Sequence, residues 1–461
     1  MIDTKDISLE SFIHRVFKAR ESLQEQTLIS WTEEVKNVDL LTIFQSALKT
    51  NKQRLFWSNS SNTFSFVGVG CVYKLIAEED RYNVLKKEWG SLLNQAFIHN
   101  PFESLGTGLV AVGGMTFDPE REKSDLWKNF PTSQLTVPEL LVVHSNNRFF
   151  ITINKYMEPN ESVEQVLHAI EQLKSIVYKV EMDHLSERKI VHKVEVEPEY
   201  WKQTVQKAVD KIKQNEASKI VLAREMKLTL NEDANIGTLL KKLMDTQTNS
   251  YIFAIEHDGH CFIGATPERL VQVNNKELLS TCLAGTAPRG KTKKEDKKIG
   301  QTLMNDQKNR EEHAYVVHMI KDSITPYCDS IDIPEQPILY PLKNLQHLYT
   351  PVTATLKESF TVFDIIEKLH PTPALGGVPR KESLSFIREH ELLDRGWYGS
   401  PIGWLDSNGN SEFVVAIRSG LVKGNQVSLF AGCGVMRDSD PQMEYDETNI
   451  KFLPMLHVLE G

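Results

Sequence analysis

A small set of carboxylates, cations and glycines in this sequence could do chemistry. Glu444 and Glu447 are three residues apart, and Lys451 lies seven after Glu444. A helix puts all three on one face. Glu311 and Glu312 precede His313 in REEH (310–313), within a second helical pattern. Two acidic faces on separate helices suit Mg2+, which takes a few carboxylates with water and an anionic substrate. The plainer alternative is two solvated faces with weak ion pairs. Lys219 heads the apolar run KIVLA, where a lysine can snorkel at a strand end or, if buried, serve as a base. Glu268 sits in the turn GATPERL, either as a capping carboxylate or as an acid. Arg418 ends VVAIR and could clamp a carboxylate at two points. Gly432 and Gly434 in FAGCG would let a ligand approach bare backbone.

Residues 285–292, GTAPRGKT, match G-x-x-x-x-G-K-[ST]. A phosphate loop must follow a strand and open a helix, so that backbone N–H groups face the phosphates. The strand LLSTCLA precedes it, but Lys291–Lys298 is a charged segment with no apolar side to pack a helix, and Pro288 removes an N–H donor. ATP is therefore not expected, and an anion-binding backbone loop remains open. His313 and His318 are five apart and no HExxH occurs, so zinc is not expected either. His257 and His260 flank a DG turn and read as surface residues.

The elements that must position these groups fall into two parts, taken as an accessory 1–190 and a signal-dense 191–461, with charged residues 181–197 as the boundary. In the first part, two β-rich runs around an Asn/Ser turn within 52–75 predict a hairpin, and Gly106–Phe117, Leu140–Val143 and Phe149–Ile153 predict strands. Apolar spacing over 161–180 predicts an amphipathic helix. In the second part, Pro198 opens a helix, 219–230 is a strand, and Tyr251–Glu256, Cys261–Gly264 and Leu278–Ala284 are short strands. A long helix is expected over about 297–324, strands at Glu412–Ile417 and Gln426–Ala431 joined by KGN, and a last helix over Glu444–Leu456. Helices mixed with hairpins predict an α+β fold with antiparallel sheets. The formal charge of −9 (53 basic, 62 acidic residues), without a long basic block, argues against nucleic acid or an anionic membrane as partner. No apolar run is long enough to span a membrane, and five scattered cysteines fit free thiols in the cytoplasm.

Taken together and in order, SKIVLAR (218–224), FIGATPERL (262–270), LAGTAPRG (283–290), REEH (310–313), LHPTPALGG (369–377), DRGWYGSPIGW (394–404), EFVVAIRSG (412–420), LFAGCGV (429–435) and EYDETNIK (444–451) resemble the chorismate-utilising enzymes. These blocks cover about 198–453, over half the chain. Within that family they are most similar to the isochorismate synthases of the menaquinone or siderophore type. Ala284 stands where aminodeoxychorismate synthases carry a lysine, HPTPALGG lacks the threonine-bearing anthranilate synthase variant, and Lys219 holds the position of the water-activating base.

The resemblance implies a two-lobed fold of large antiparallel sheets packed together with helices outside, and it explains the 285–290 loop as a substrate-carboxylate loop. It implies Mg2+ held by Glu312 and Glu447, with Glu444 as an outer or alternative ligand. Lys219 would be the base and Glu268 the acid. Arg418, Lys451, Gly285, Thr286, Gly432 and Gly434 would hold the substrate's carboxylates. Leu283, Ala374, Leu375 and Tyr398 would form a wall governing pyruvyl retention, with His370 near it for orientation or packing. The implied substrate is chorismate, and a monomer or weak dimer is expected. The alternatives are a salicylate synthase, which also eliminates pyruvate, and a non-catalytic or ATP-binding module on the same fold.

Overall fold

The computed structural model describes residues 7–19, 25–178, 188–341 and 345–460. Of the expected boundary segment, 181–187 lie outside the described residues. Two sheets, of 13 and 10 strands among those residues, form the body of the molecule. Their strands pair antiparallel except for Thr27–Val35 beside Phe97–His99.

Period-two alternation sorts side chains into layers. In Tyr251–His257 of the larger sheet, Tyr251, Phe253 and Ile255 face the smaller sheet, while Ile252 and Ala254 face helices. In the smaller sheet Val414 faces inward, and Phe413 and Val415 face outward. The layer between the sheets is rich in large rings, among them Trp57, Phe66, Phe262, Trp397 and Trp404, all buried. Helices Leu9–Ala19, Val163–Tyr178, Ile236–Thr246 and Pro441–Leu459 cover the larger sheet; Arg81–Gln95, Gln307–Ile324 and Val362–Leu369 cover the smaller. The fold is α+β, with antiparallel sheets face to face and helices outside, as expected.

The predicted hairpin forms from Arg54–Ser58 and Phe64–Val69. Sheet pairing then crosses from one part of the chain to the other. Arg54–Ser58 pairs with Tyr251–His257, and Val110–Met115 with Pro401–Asp406. Residues before and after 190 thus share both sheets.

The expected helix over 297–324 is two helices, Lys293–Asn305 and Gln307–Ile324. Asp306 breaks the run because its carboxylate accepts from the Asn309 N–H and caps the second helix (2.8 Å). The charged segment Lys291–Lys298 is also largely helical. Thr292 caps it, and Gly300 and Leu303 supply a narrow buried side, which suffices when the rest faces water. His257 and His260 are buried, not on the surface: His257 packs by Phe130, and His260 contacts Asn129.

Candidate functional site

Two of the chain's crossings between the sheets meet at the candidate site. The chain leaves His260–Thr266 of the larger sheet through Pro267–Glu268 and enters Arg269–Asn274 of the smaller one. Later it leaves Ser411–Val415 of the smaller sheet through 416–418 and enters Ser419–Lys423 of the larger. The sequence pattern predicted one strand through Ile417. The chain instead turns at Arg418, a non-glycine residue at φ 50°. The crossings lie side by side: the Val415 N–H donates to the Glu268 carbonyl at 3.0 Å, and the Ala265 N–H to the Arg418 carbonyl at 3.1 Å. Adjacent crossings put Glu268 and Arg418 together at the seam.

A cavity of about 410 Å³ opens there. The larger sheet contributes Val221 and Ala223 from Lys219–Leu230, and Phe430, Ala431 and Gly432 from Gln426–Val435. The smaller sheet contributes Leu283 and Thr286 from Glu277–Pro288, and His347 from Leu345–Leu356. Ala374, Leu375, Arg395 and Tyr398 close one wall, and Glu447, Ile450 and Lys451 of the last helix form the rim. Burial pushes the Glu268 carboxyl up to about 7, against the opposing pull of Arg418, Lys219 and Lys451.

Lys219 reaches this group from the head of its strand. Its Nζ donates to Glu312 Oε1 at 2.9 Å, and its carbonyl accepts from Ser383 Oγ at 2.9 Å. Its stem lies over Gly434, where a Cβ would sit 2.6 Å from Lys219 Cε. Lys451 Nζ bonds the Gly432 carbonyl (2.8 Å) and Glu447 Oε1 (2.7 Å). Gly285 (φ 75°) makes a bulge in its strand, and Thr286 Oγ1 meets His347 Nδ1 at 3.0 Å.

Of the residues named from sequence, Lys219, Gly285, Glu312, His370, Gly434 and Glu444 are not part of the cavity lining. His370 is fully buried, with Nε2 at 3.2 Å from the Gly399 carbonyl and Phe117 edge-on to its ring. Burial holds its pKa far below the usual range, so the ring is neutral. Glu444 accepts from Ser439 Oγ at 2.6 Å, ahead of Glu447 on the helix. Among the described residues no three Asp, Glu, His or Cys side chains converge in metal-holding geometry. Glu312 and Glu447 nevertheless offer hard oxygen donors from separate helices, each beside a lysine amine. That set fits Mg2+, which needs only one or two carboxylates besides water and an anionic ligand.

The loop matching the phosphate pattern does precede a helix, contrary to the sequence reading. Its donors at the helix end are already taken. The Gly290 N–H bonds Asp296 and the Lys291 N–H bonds Glu295, both at 2.8 Å, and residues up to Pro288 are strand. No cradle for a phosphate remains.

Sequence reasoning missed His347 and Arg395. Arg395 bonds Glu391 (2.7 Å), the Leu375 carbonyl (2.9 Å) and the Val221 carbonyl (2.8 Å), while Glu391 accepts from the Ala223 N–H (2.7 Å). This fastens the wall to the strand behind it. DRGWYGSPIGW contains Arg395, so a signal existed; His347 has no local one.

A family model described as chorismate binding enzyme matches residues 12–460. The chain is 38% identical to isochorismate synthase MenF of Bacillus subtilis, over 97% of each chain. It is 31% identical to the salicylate biosynthesis isochorismate synthase of Pseudomonas aeruginosa, over 98% of this chain and 94% of that one. Among solved structures, the menaquinone-specific isochorismate synthase MenF of Escherichia coli superposes with TM-score 0.80 at 24% identity, covering 98% of this chain and 100% of that one. At that identity the likeness speaks to the fold.

Proposed function

The chain belongs to the chorismate-binding enzymes, and on that premise we propose that it converts chorismate to isochorismate with Mg2+, feeding menaquinone biosynthesis. The observation that carries this reading is the meeting of Glu268, Arg418 and Lys451 at one cavity, with the Lys219 charge near enough to pull on the Glu268 carboxyl: a base and an acid with the cations that an anionic ring needs. The near full-length identity to a named isochorismate synthase supports it. Five free thiols support the cytoplasm as its compartment.

In this reaction Lys219, acting with a free lone pair, takes a proton from water as the water oxygen bonds to C2. The ring double bonds shift, the C4–O bond breaks, and Glu268 gives its proton to the departing hydroxyl, which leaves as water. With a pKa of about 7, Glu268 keeps a proton to give near neutrality. Arg418 and Lys451, with the backbone at Gly285–Thr286 and Gly432–Gly434, hold the substrate's two carboxylates. Leu283, Ala374, Leu375 and Tyr398 shape the wall beside the enolpyruvyl group. Glu312 and Glu447, with Glu444 behind, would hold Mg2+, which when bound would neutralise and orient the ring carboxylate. Lys219 must then exchange its Glu312 contact for water. All of these residues come from the 191–461 part of the chain.

Product analysis tests the reading. Chorismate and Mg2+ should give isochorismate, and Lys219→Ala should abolish turnover while chorismate still binds. Fluorescent salicylate with pyruvate would mark a salicylate synthase instead, and normal turnover by Lys219→Ala would remove the base.

A further inference from the structure

We propose that Arg224 is a positioning residue for the reaction assigned above, on which this inference rests: from the strand that carries Lys219 it grips the back of the last helix, and so sets where Glu447 and Lys451 stand at the cavity rim.

In strand Lys219–Leu230, Val221 and Ala223 line the cavity. Alternation sends Ile220, Leu222 and Arg224 to the other face. There Ile220 and Leu222 pack with Trp201 and Val205 of helix Pro198–Lys213. Arg224 is buried and reaches from this face to helix Pro441–Leu459. Its Nε donates to Thr448 Oγ1 at 2.7 Å, and one terminal nitrogen donates to Asn449 Oδ1. Its guanidinium carbon lies 4.0 Å from the ring centre of Tyr445 and 4.9 Å from that of Phe452. The Thr448 hydroxyl spends its own proton on the Tyr445 carbonyl, at 2.7 Å, which leaves its lone pairs for the arginine. One side chain thus holds residues 445, 448, 449 and 452, about two turns of helix.

Tyr445, Thr448 and Phe452 each follow by one residue the face made by Glu444, Glu447 and Lys451, a rotation of about 100° round the axis. A hold on the first face therefore fixes the rotation and height of the second. Little else does. The Lys451–Glu447 pair on the cavity side is partly exposed. Pro454 lies inside the helix and removes the N–H that would bond the Ile450 carbonyl, so burial of residues 455–459 couples weakly to the turns before it. A buried guanidinium is also a costly way to fill space, and the Glu195 carboxylate that faces it stands 3.5 Å away and partly in water. An apolar chain of the same length would pack as well. A forked, planar group instead bonds two helix positions and stacks on two rings at once.

Arg224→Met keeps the length of the side chain and loses both bonds. Its amides over 444–451 should exchange with deuterium about tenfold faster, the scale of one lost hydrogen bond, while those of 198–213 keep the parent rate. The Mg2+ concentration giving half-maximal turnover should rise about tenfold. Melting temperature should change little, because an apolar chain replaces a buried charge. Arg224→Lys, which retains the charge and a donor, should fall between parent and Arg224→Met. Asn449→Ala removes one half-buried partner; it should shift exchange and the Mg2+ titration in the same direction by less, and add nothing to Arg224→Met. It carries the test should Arg224→Met fail to fold. Parental exchange over 444–451, or an unchanged Mg2+ titration whatever the melting temperature, would overturn the proposal and leave the reaction standing. Faster exchange in the variant of a parent that makes no isochorismate would sink the assigned reaction and leave the grip on the helix.

Discussion

The Arg395–Glu391 pair behind the cavity wall and the Lys219–Glu312 and Lys451–Glu447 pairs nearer its rim have similar contact distances, 2.7–2.9 Å, and opposite surroundings. Arg395 and Glu391 side chains are 4% and 1% exposed; Lys451 and Glu447 are 36% and 52% exposed. The buried arginine also bonds two backbone carbonyls, and its glutamate a backbone N–H, so neither charge has a second choice of partner. Lys451 faces water, the Gly432 carbonyl and one carboxylate, and Lys219, 17% exposed, bonds one carboxylate that is itself 36% exposed. Ion pairs of like geometry serve here as a fixed brace and as exchangeable contacts, and the difference is set by desolvation.

Breaking the brace should have the largest effect. Glu391→Ala leaves a buried guanidinium uncompensated and should cost about 3–5 kcal/mol in denaturant unfolding; a loss below about 1 kcal/mol would erase the contrast with the rim.

A second prediction concerns Glu268. Its folded pKa of about 7 lies above the roughly 4.3 of an unfolded glutamate. The folded state therefore holds the proton more tightly, and stability falls as pH rises between those values. Glu268→Gln should abolish turnover yet melt at or above the parent temperature at pH 8. The parent's kcat/KM should decline as pH climbs through about 7, because the free enzyme loses the proton it donates. A Gln variant less stable at pH 8, or a parent profile flat from pH 6 to 8, would refute the assignment.

The smallest stability effect belongs to the rim. Glu447→Gln should move unfolding by less than about 1 kcal/mol while shifting the Mg2+ titration about tenfold. An unchanged titration would remove Glu447 as a ligand.

Much of this site could be read from sequence because its signals are local. Glu268 in its turn, the glycines at 432 and 434, and the carboxylates at helical spacing all declare themselves within a few residues. The exchange of sheets at Arg418 did not, because VVAI runs apolar right up to the turn and so looks like continuous strand. His347 was invisible for another reason: its partner Thr286 is 61 residues away, and a histidine in an alternating strand gives no local sign of facing a cavity. The break at Asp306 was missed because one capping side chain overrode a longer helical pattern. His257 and His260 misled because a DG turn sits at the surface while its flanking rings fold inward.

The paired crossings at Glu268 and Arg418 also make the cavity a rivet hole through both layers. A molecule seated there touches the two walls at once, so neither can peel away without ejecting it. Occupancy should therefore toughen the whole chain against proteases, including segments remote from the reaction, and not only the loops beside it.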